Sequence, residues 1–368
     1  MKNNLTIIKI ILITILLFIS LDLLVGKYLY KNLIRSNFVD IDTSFGVRDN
    51  VYDHKFKPNY NALTGWGESR YRLCTDSNGF RNSCSNQFEN LKDFDIGFIG
   101  DSFTEPVGLN YEESFVGIIS SHLKKKKIAN LAVTSYSPSI YYSKINFLLS
   151  KGYKFKEIIV FIDLSDMVDD TVCYKLNNNI VERRKSFLKC YDRKLTLKDK
   201  IENFFRDNFK LTYESYIIIN NKLIDINLTS YEAPYSVTNH PRSDWTHDYK
   251  QENYNNFSYE ESKNILLFNM QKLANLLKAN EIDLSVAVYP WPGTLKYDIH
   301  NNRQLNVWKN FCTSNCKIFY DFMIPFYDLL KHDSFINVYK NFYIENDQHF
   351  NKDGNKIIAE SFLKLYKD

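Results

Sequence analysis

A chain of 368 residues with 44% hydrophobic content holds enough apolar material for one good core and an elaboration, so one domain carrying an insertion is expected rather than two equal domains. The net charge of +4 is small, and no dense basic face with interleaved aromatics appears, which argues against nucleic acid as a partner.

The first element is an apolar stretch over residues 5–25, broken only by Lys9 near one end and Asp22 near the other. About 20 apolar residues span a bilayer, and no small-x-small cleavage site follows, so residues 1–26 are expected to be an uncleaved single-pass membrane anchor. Lys2 and Lys9 precede the stretch while Lys27, Lys31 and Arg35 follow it, so flanking charge leaves the orientation open. The cysteines speak to it: Cys74 lies near Cys84, Cys173 near Cys190, and Cys312 near Cys316. That pattern suits three local disulfides in an oxidising compartment, which places the domain outside the cytoplasm; a metal site would want a Cys-x-x-Cys or nearby histidines.

Residues 27–94 are rich in Tyr, Asn and Asp with little periodicity and read as a lead-in packed on the main domain. Within it, residues 74–84 form a turn-rich loop, and Arg81 reads as a surface residue. Strand and helix then alternate: strand 95–100, helix 112–123, strand 128–133, helix 139–150 and strand 157–162. Such alternation implies a parallel sheet flanked by helices in three layers, with ligands bound beyond the carboxyl ends of the strands. Ser102, in Gly100-Asp101-Ser102, sits at one of these ends on a strand-to-helix turn, where a nucleophilic hydroxyl is held rigidly and backbone N–H groups can face a developing oxyanion. Asp101 beside it is a candidate substrate-binding residue.

An α/β lapse over residues 168–257 reads as an insertion hanging over the site, in which Trp245 would stack on a sugar and Arg242 bind hydroxyls. A partly helical lid with ordinary buried aromatics is the alternative. The core resumes with a capping box, Ser258 to Glu261, before Leu266, Met270, Leu273 and Leu277 at helical spacing. Strand 284–289 ends at Pro290-Trp291, which adds Trp291 to the substrate rim; helix 306–315 and strand 318–320 follow. Near the end, Asn346-Asp347-Gln348-His349 precedes a last helix bearing Ile357, Ile358, Phe362 and Leu365. A serine early and an Asp-x-His just before the final helix make an acid, base and nucleophile set for acyl transfer.

Together these blocks resemble the SGNH hydrolases, also called GDSL-type esterases, from about residue 95 to the C-terminus. The resemblance implies an SGNH/flavodoxin-like fold over residues 95–368, with Ser102 as nucleophile, His349 as base and Asp347 as acid. Phe103 replaces the usual Leu. Asn346 occupies the Asp position of the common Asp-x-x-His block, so Asp347 is taken as the acid, as in Asp-x-His variants among polysaccharide-modifying relatives. The oxyanion donors implied are the Ser102 N–H, Ala132 where the family has Gly, and Ser165 where it has Asn. No metal or organic cofactor is implied. The expected function is hydrolysis of acyl esters on a cell-surface polysaccharide, with polysaccharide-assembly proteins as further partners. O-acyl transfer to a glycan, or glycan binding by a dead site, are the alternatives.

Overall fold

A strand covered on both faces needs a continuous apolar run, and Ile158, Ile159, Val160, Phe161 and Ile162 supply one that is wholly buried. In the computed structural model these residues form the middle of a parallel sheet. The structure describes residues 2–25, 42, 44–67, 69–184, 235–240, 242–247, 257–298 and 302–366, with scattered positions from 200 to 223. Two compact units divide the chain: Met1–Ile41 with Arg193–Glu232, and Asp42–Asp192 with Ala233–Asp368. The expected insertion over 168–257 is thus split, its residues 193–232 clustering with the N-terminal segment and the rest with the main unit.

The lead-in, whose sequence shows little periodicity, forms two antiparallel hairpins. β1 (Gly46–Asp49) pairs with β2 (Asp53–Phe56), and β3 (Asn61–Trp66) with β4 (Ser69–Cys74). The main sheet uses β5 (Asp93–Ile99), β6 (Ile128–Asn130) and β7 (Lys154–Ile162). After a third hairpin, β8 (Tyr174–Asn177) with β9 (Ile180–Arg183), it adds β10 (Asp283–Val288) and β11 (Phe319–Asp321). Its strand order is β11-β10-β7-β5-β6, and every neighbouring pair is parallel. The chain leaves β5 toward one edge to make β6, then crosses back past β5 to make β7. The connections therefore diverge at the carboxyl ends of β5 and β7, the switch point at which open α/β sheets bind ligands.

Helices flank this sheet. Phe115–His122 packs on the last helix, Lys352–Leu365, and Pro138–Ser150 packs on Tyr259–Ala279. Ring contacts tie the first pair to the strands: Phe115 lies 4.4 Å from Phe161 of β7, and Phe362 lies 5.6 Å from Phe98 of β5. The capping box at Ser258 forms as expected, with Ser258 Oγ accepting from the Glu261 N–H and the Glu261 carboxylate accepting from the Ser258 N–H at 2.8 Å. The helix expected over 112–123 is broken at Ser114, whose hydroxyl accepts from the Gly117 N–H and starts a new helix after one 3-10 turn. The second strand stops at Asn130 instead of 133, because the Asn130 side chain takes the Ala132 N–H at 3.1 Å and ends the ladder.

Two of the three cysteine pairs form disulfides, Cys74–Cys84 and Cys312–Cys316. Cys173 is buried with its Sγ 3.6 Å from Asp169 Oδ1, while Cys190, and with it the expected third pairing, lies outside the described residues. Arg81 is not on the surface. It is 1% exposed and its guanidinium donates to the carbonyls of Cys74, Arg72 and Leu109, each at 3.1 Å. A single cation thereby satisfies carbonyls of β4 and of the segment after the Ser102 turn; its loss would remove the donor to those of Arg72 and Leu109 at about 1–3 kcal/mol each, while the Cys74 carbonyl keeps the Asn82 N–H at 3.0 Å.

In the other unit, one helix runs from Lys2 to Leu24. Its Asp22 is fully buried and accepts from the Thr212 N–H at 2.9 Å and the Thr212 hydroxyl at 2.5 Å. Among the described residues no helix is long and apolar enough to cross a membrane. The segment expected as the anchor thus forms a helix whose acidic residue is paired with Thr212.

Candidate active site

β5 delivers Ser102 into a tight turn. A side chain at Gly100 would lie 2.9 Å from the Phe161 carbonyl of β7, so the close approach of these strands just before the turn requires glycine. The turn is closed by the Thr104 and Glu105 N–H groups, which donate to the Asp101 carbonyl at 3.1 and 2.9 Å, and by the Val107 N–H donating to the Ser102 carbonyl at 3.0 Å. Ser102 is left 7% exposed at the switch point.

His349 comes from the loop before the last helix. That loop folds on itself: the Ile344 N–H donates to the His349 carbonyl at 2.8 Å, and the Asp347 N–H to the Ile344 carbonyl at 3.1 Å. Asn346 takes φ +60°, a left-handed conformation that Asn tolerates better than most residues, so position 346 is the pivot of the loop. The pivot brings the Asp347 carboxylate back onto the imidazole. His349 Nδ1 lies 2.5 Å from Asp347 Oδ1, and His349 Nε2 lies 2.8 Å from Ser102 Oγ. The His349 N–H also donates to Asp347 Oδ1, at 2.8 Å.

A residue absent from the sequence reading completes the arrangement. The Trp66 indole N–H, at the end of β3, donates to Asp347 Oδ2 at 2.9 Å, and its ring stands edge-on to the imidazole at 5.2 Å and 86°. Phe103 packs on the imidazole at 4.5 Å. The only sequence cue to Trp66 is a large aromatic between two glycines in a segment without other chemistry. Trp66→Phe, which keeps the ring and deletes the donor, is expected to lower kcat about tenfold with little change in KM, measured on a chromogenic acetyl ester.

The charges are set by burial and by pairing. Burial pushes Asp347 up, but the charge and hydrogen bonds of His349 outweigh it and hold the carboxyl down at about 2. Burial likewise works against protonation of His349, and the Asp347 carboxylate overturns this, so its pKa is raised. Behind Ser102, burial and then the neighbouring Asp163 raise the pKa of Asp101. The Tyr289 hydroxyl lies 2.9 Å from Asp163 Oδ2 and 3.3 Å from Asp101 Oδ1.

The other expected site residues lie in the interior with different partners. The Ala132 N–H is held by the Asn130 side chain, so that expected oxyanion donor is engaged within the fold, while at Ser165 the backbone N–H donates to Asp163 Oδ1 at 2.7 Å. The Ser102 N–H makes no hydrogen bond among the described residues. Trp245 is 1% exposed and donates to the Leu164 carbonyl at 2.9 Å; Trp291 is 2% exposed and donates to Asp163 Oδ2 at 2.7 Å. Arg242 pairs with the buried Asp169. These side chains brace the segment after β7 from within and present no stacking face at a rim, because their polar ends satisfy buried oxygens that would otherwise be unpaired.

No family model and no curated protein matches the sequence. Among solved structures, the chain is similar to a member of the lipolytic G-D-S-L family from Veillonella parvula, at 11% identity over 74% of this chain and 97% of that one, with a TM-score of 0.40. It is also similar to Axe2, an acetylxylan esterase from Geobacillus stearothermophilus, at 10% identity over 74% and 95% with a TM-score of 0.41. A third is TesA, at 8% over 73% and 96% with a TM-score of 0.39. Similarity at this level bears on neither activity nor substrate.

Proposed function

We propose that the chain is a serine-dependent hydrolase of ester bonds, in which Ser102 attacks the acyl carbon, His349 takes its proton and Asp347 orients the imidazole. The observation that carries this reading is the unbroken line from Ser102 Oγ through His349 to Asp347, with contacts of 2.8 and 2.5 Å. The carboxylate is held ionised and both of its oxygens accept hydrogen bonds, which suits it to fix the ring tautomer and to stabilise the imidazolium. The Ser102 N–H is the oxyanion donor within this reading.

The natural substrate in this proposal is an acyl group on a cell-surface polysaccharide, with the protein held at a membrane by residues 5–25 and the Ser102 domain outside the cytoplasm. The two disulfides support an oxidising compartment, and the Asp-x-His spacing supports the polysaccharide. An acyl-serine can pass its group to water or to a sugar hydroxyl, so hydrolysis and O-acyl transfer share the same first step. Incubating the purified protein with p-nitrophenyl acetate is expected to release p-nitrophenol by a route that fluorophosphonate blocks. Added acetyl-free oligosaccharide separates the two outcomes: acetylated sugar identifies a transferase, and acetate alone an esterase. No release with any acyl donor would leave glycan binding as the function.

A further inference from the structure

Asp101 sits where a charged carboxylate would work against the proposed chemistry. It is 2% exposed, with Oδ2 3.0 Å from Ser102 Oγ and Oδ1 3.3 Å from the Tyr289 hydroxyl. The hydrogens along this line can be counted. The Tyr289 hydroxyl has one, and its shorter contact, 2.9 Å, is to Asp163 Oδ2. The Ser102 hydroxyl has one, and general-base catalysis needs it on the 2.8 Å contact with His349 Nε2. With both so placed, Asp101 faces an oxygen lone pair at each carboxyl oxygen, and the Phe103 N–H, 3.0 Å from Oδ1, is its one remaining donor among the described residues. An ionised carboxylate would be short of donors there and would draw the Ser102 hydrogen away from His349. A neutral acid supplies the missing hydrogen itself.

We propose that Asp101 acts as a neutral carboxylic acid that donates from Oδ2 to Ser102 Oγ and so keeps the Ser102 hydrogen directed at His349. The role rests on the reading of Ser102 as nucleophile. The groups facing it agree: Asp163 and Asp166 after β7, Tyr141 from the helix Pro138–Ser150 and Tyr289 after β10 are acidic or neutral, and His349 is the one base. Burial and the nearby Asp163 both disfavour a second negative charge at Asp101. In the acyl step the Ser102 proton passes to His349 Nε2 as the Oγ–C bond forms, and His349 hands it to the leaving alcohol oxygen as the ester C–O bond breaks, while the Asp101 proton stays where it is. In deacylation the water proton goes to His349 and returns to Ser102 Oγ as that bond breaks.

An amide imitates the neutral acid, with a donor toward Ser102 Oγ and an acceptor toward the Phe103 N–H. Asp101→Asn in the full chain is therefore expected to keep kcat on p-nitrophenyl acetate within about threefold of wild type, and Asp101→Ala to lose about 30-fold. An Asn variant as impaired as the Ala variant overturns the proposal. A second readout does not need activity: the infrared difference between wild type and Asp101→Asn at neutral pH should contain the carbonyl band of a protonated carboxylic acid. A carboxylate band in its place overturns the proposal even in an active enzyme. A wild-type protein inert toward the ester would remove the nucleophile reading while the infrared band still decides the ionisation of Asp101.

Discussion

Ser102→Ala is expected to reduce ester hydrolysis by about 10⁴-fold or more and to abolish labelling by a fluorophosphonate probe, because Ser102 Oγ is the hydroxyl 2.8 Å from the imidazole that Asp347 orients. The fold should hardly notice. Ser102 exchanges its hydroxyl contacts with His349 and Asp101 for a methyl group of nearly the same size, and its turn is closed by backbone bonds that the substitution leaves intact. A shift of the melting temperature by no more than about 3 °C is therefore expected. Retention of even half the wild-type rate would remove Ser102 from the chemistry.

Asp347→Asn should be nearly as damaging, about 10³-fold or more in kcat, since an amide can hold the imidazole in the wrong tautomer. It should also move the pH profile, and the sign follows from the charges. His349 must be neutral to take the Ser102 proton, and Asp347 raises its pKa above the ordinary value of 6.5, so the wild-type rate rises with pH along a limb displaced upward. Removing the carboxylate charge should shift that limb to lower pH. Stability should follow linkage in two windows. The Asp347 contribution is present above its ordinary pKa of 3.8 and is lost as pH falls toward about 2. The His349 contribution is present below 6.5 and is lost as pH rises through its raised value. Rate profiles and thermal melts of the wild type and the variant check both; an unchanged acid limb in Asp347→Asn would separate Asp347 from the titration of His349.

A buried cluster of one arginine and two tryptophans, and a lone tryptophan elsewhere, show why composition misleads about roles. Arg242, Trp245 and Trp291 look like a sugar platform because such residues are common at glycan sites, yet each ends on a buried oxygen of the segment after β7, at Asp169, Leu164 and Asp163. Trp66 lies in a segment with no motif and reaches Asp347, 281 positions away in sequence. Nothing in a linear pattern announces a contact of that length.

The amino-acid order alone determined the alternation of strand and helix, the position of Ser102 on a turn after an apolar strand, the capping box at Ser258 and the closeness of the cysteines that pair. Each depends on residues within about a dozen positions of one another, where hydrophobic period, turn chemistry and short loops are decisive. Only the tertiary structure decided that β5 and β7 diverge at the switch point, that a left-handed turn at Asn346 carries Asp347 onto His349, and that the expected donor at Ala132 is already engaged. It also decided that a hairpin of the lead-in supplies Trp66 to the site. These outcomes hang on side chains from distant strands competing in three dimensions for a few buried hydrogen-bonding atoms, and that competition is settled when the layers close rather than by any local run of sequence.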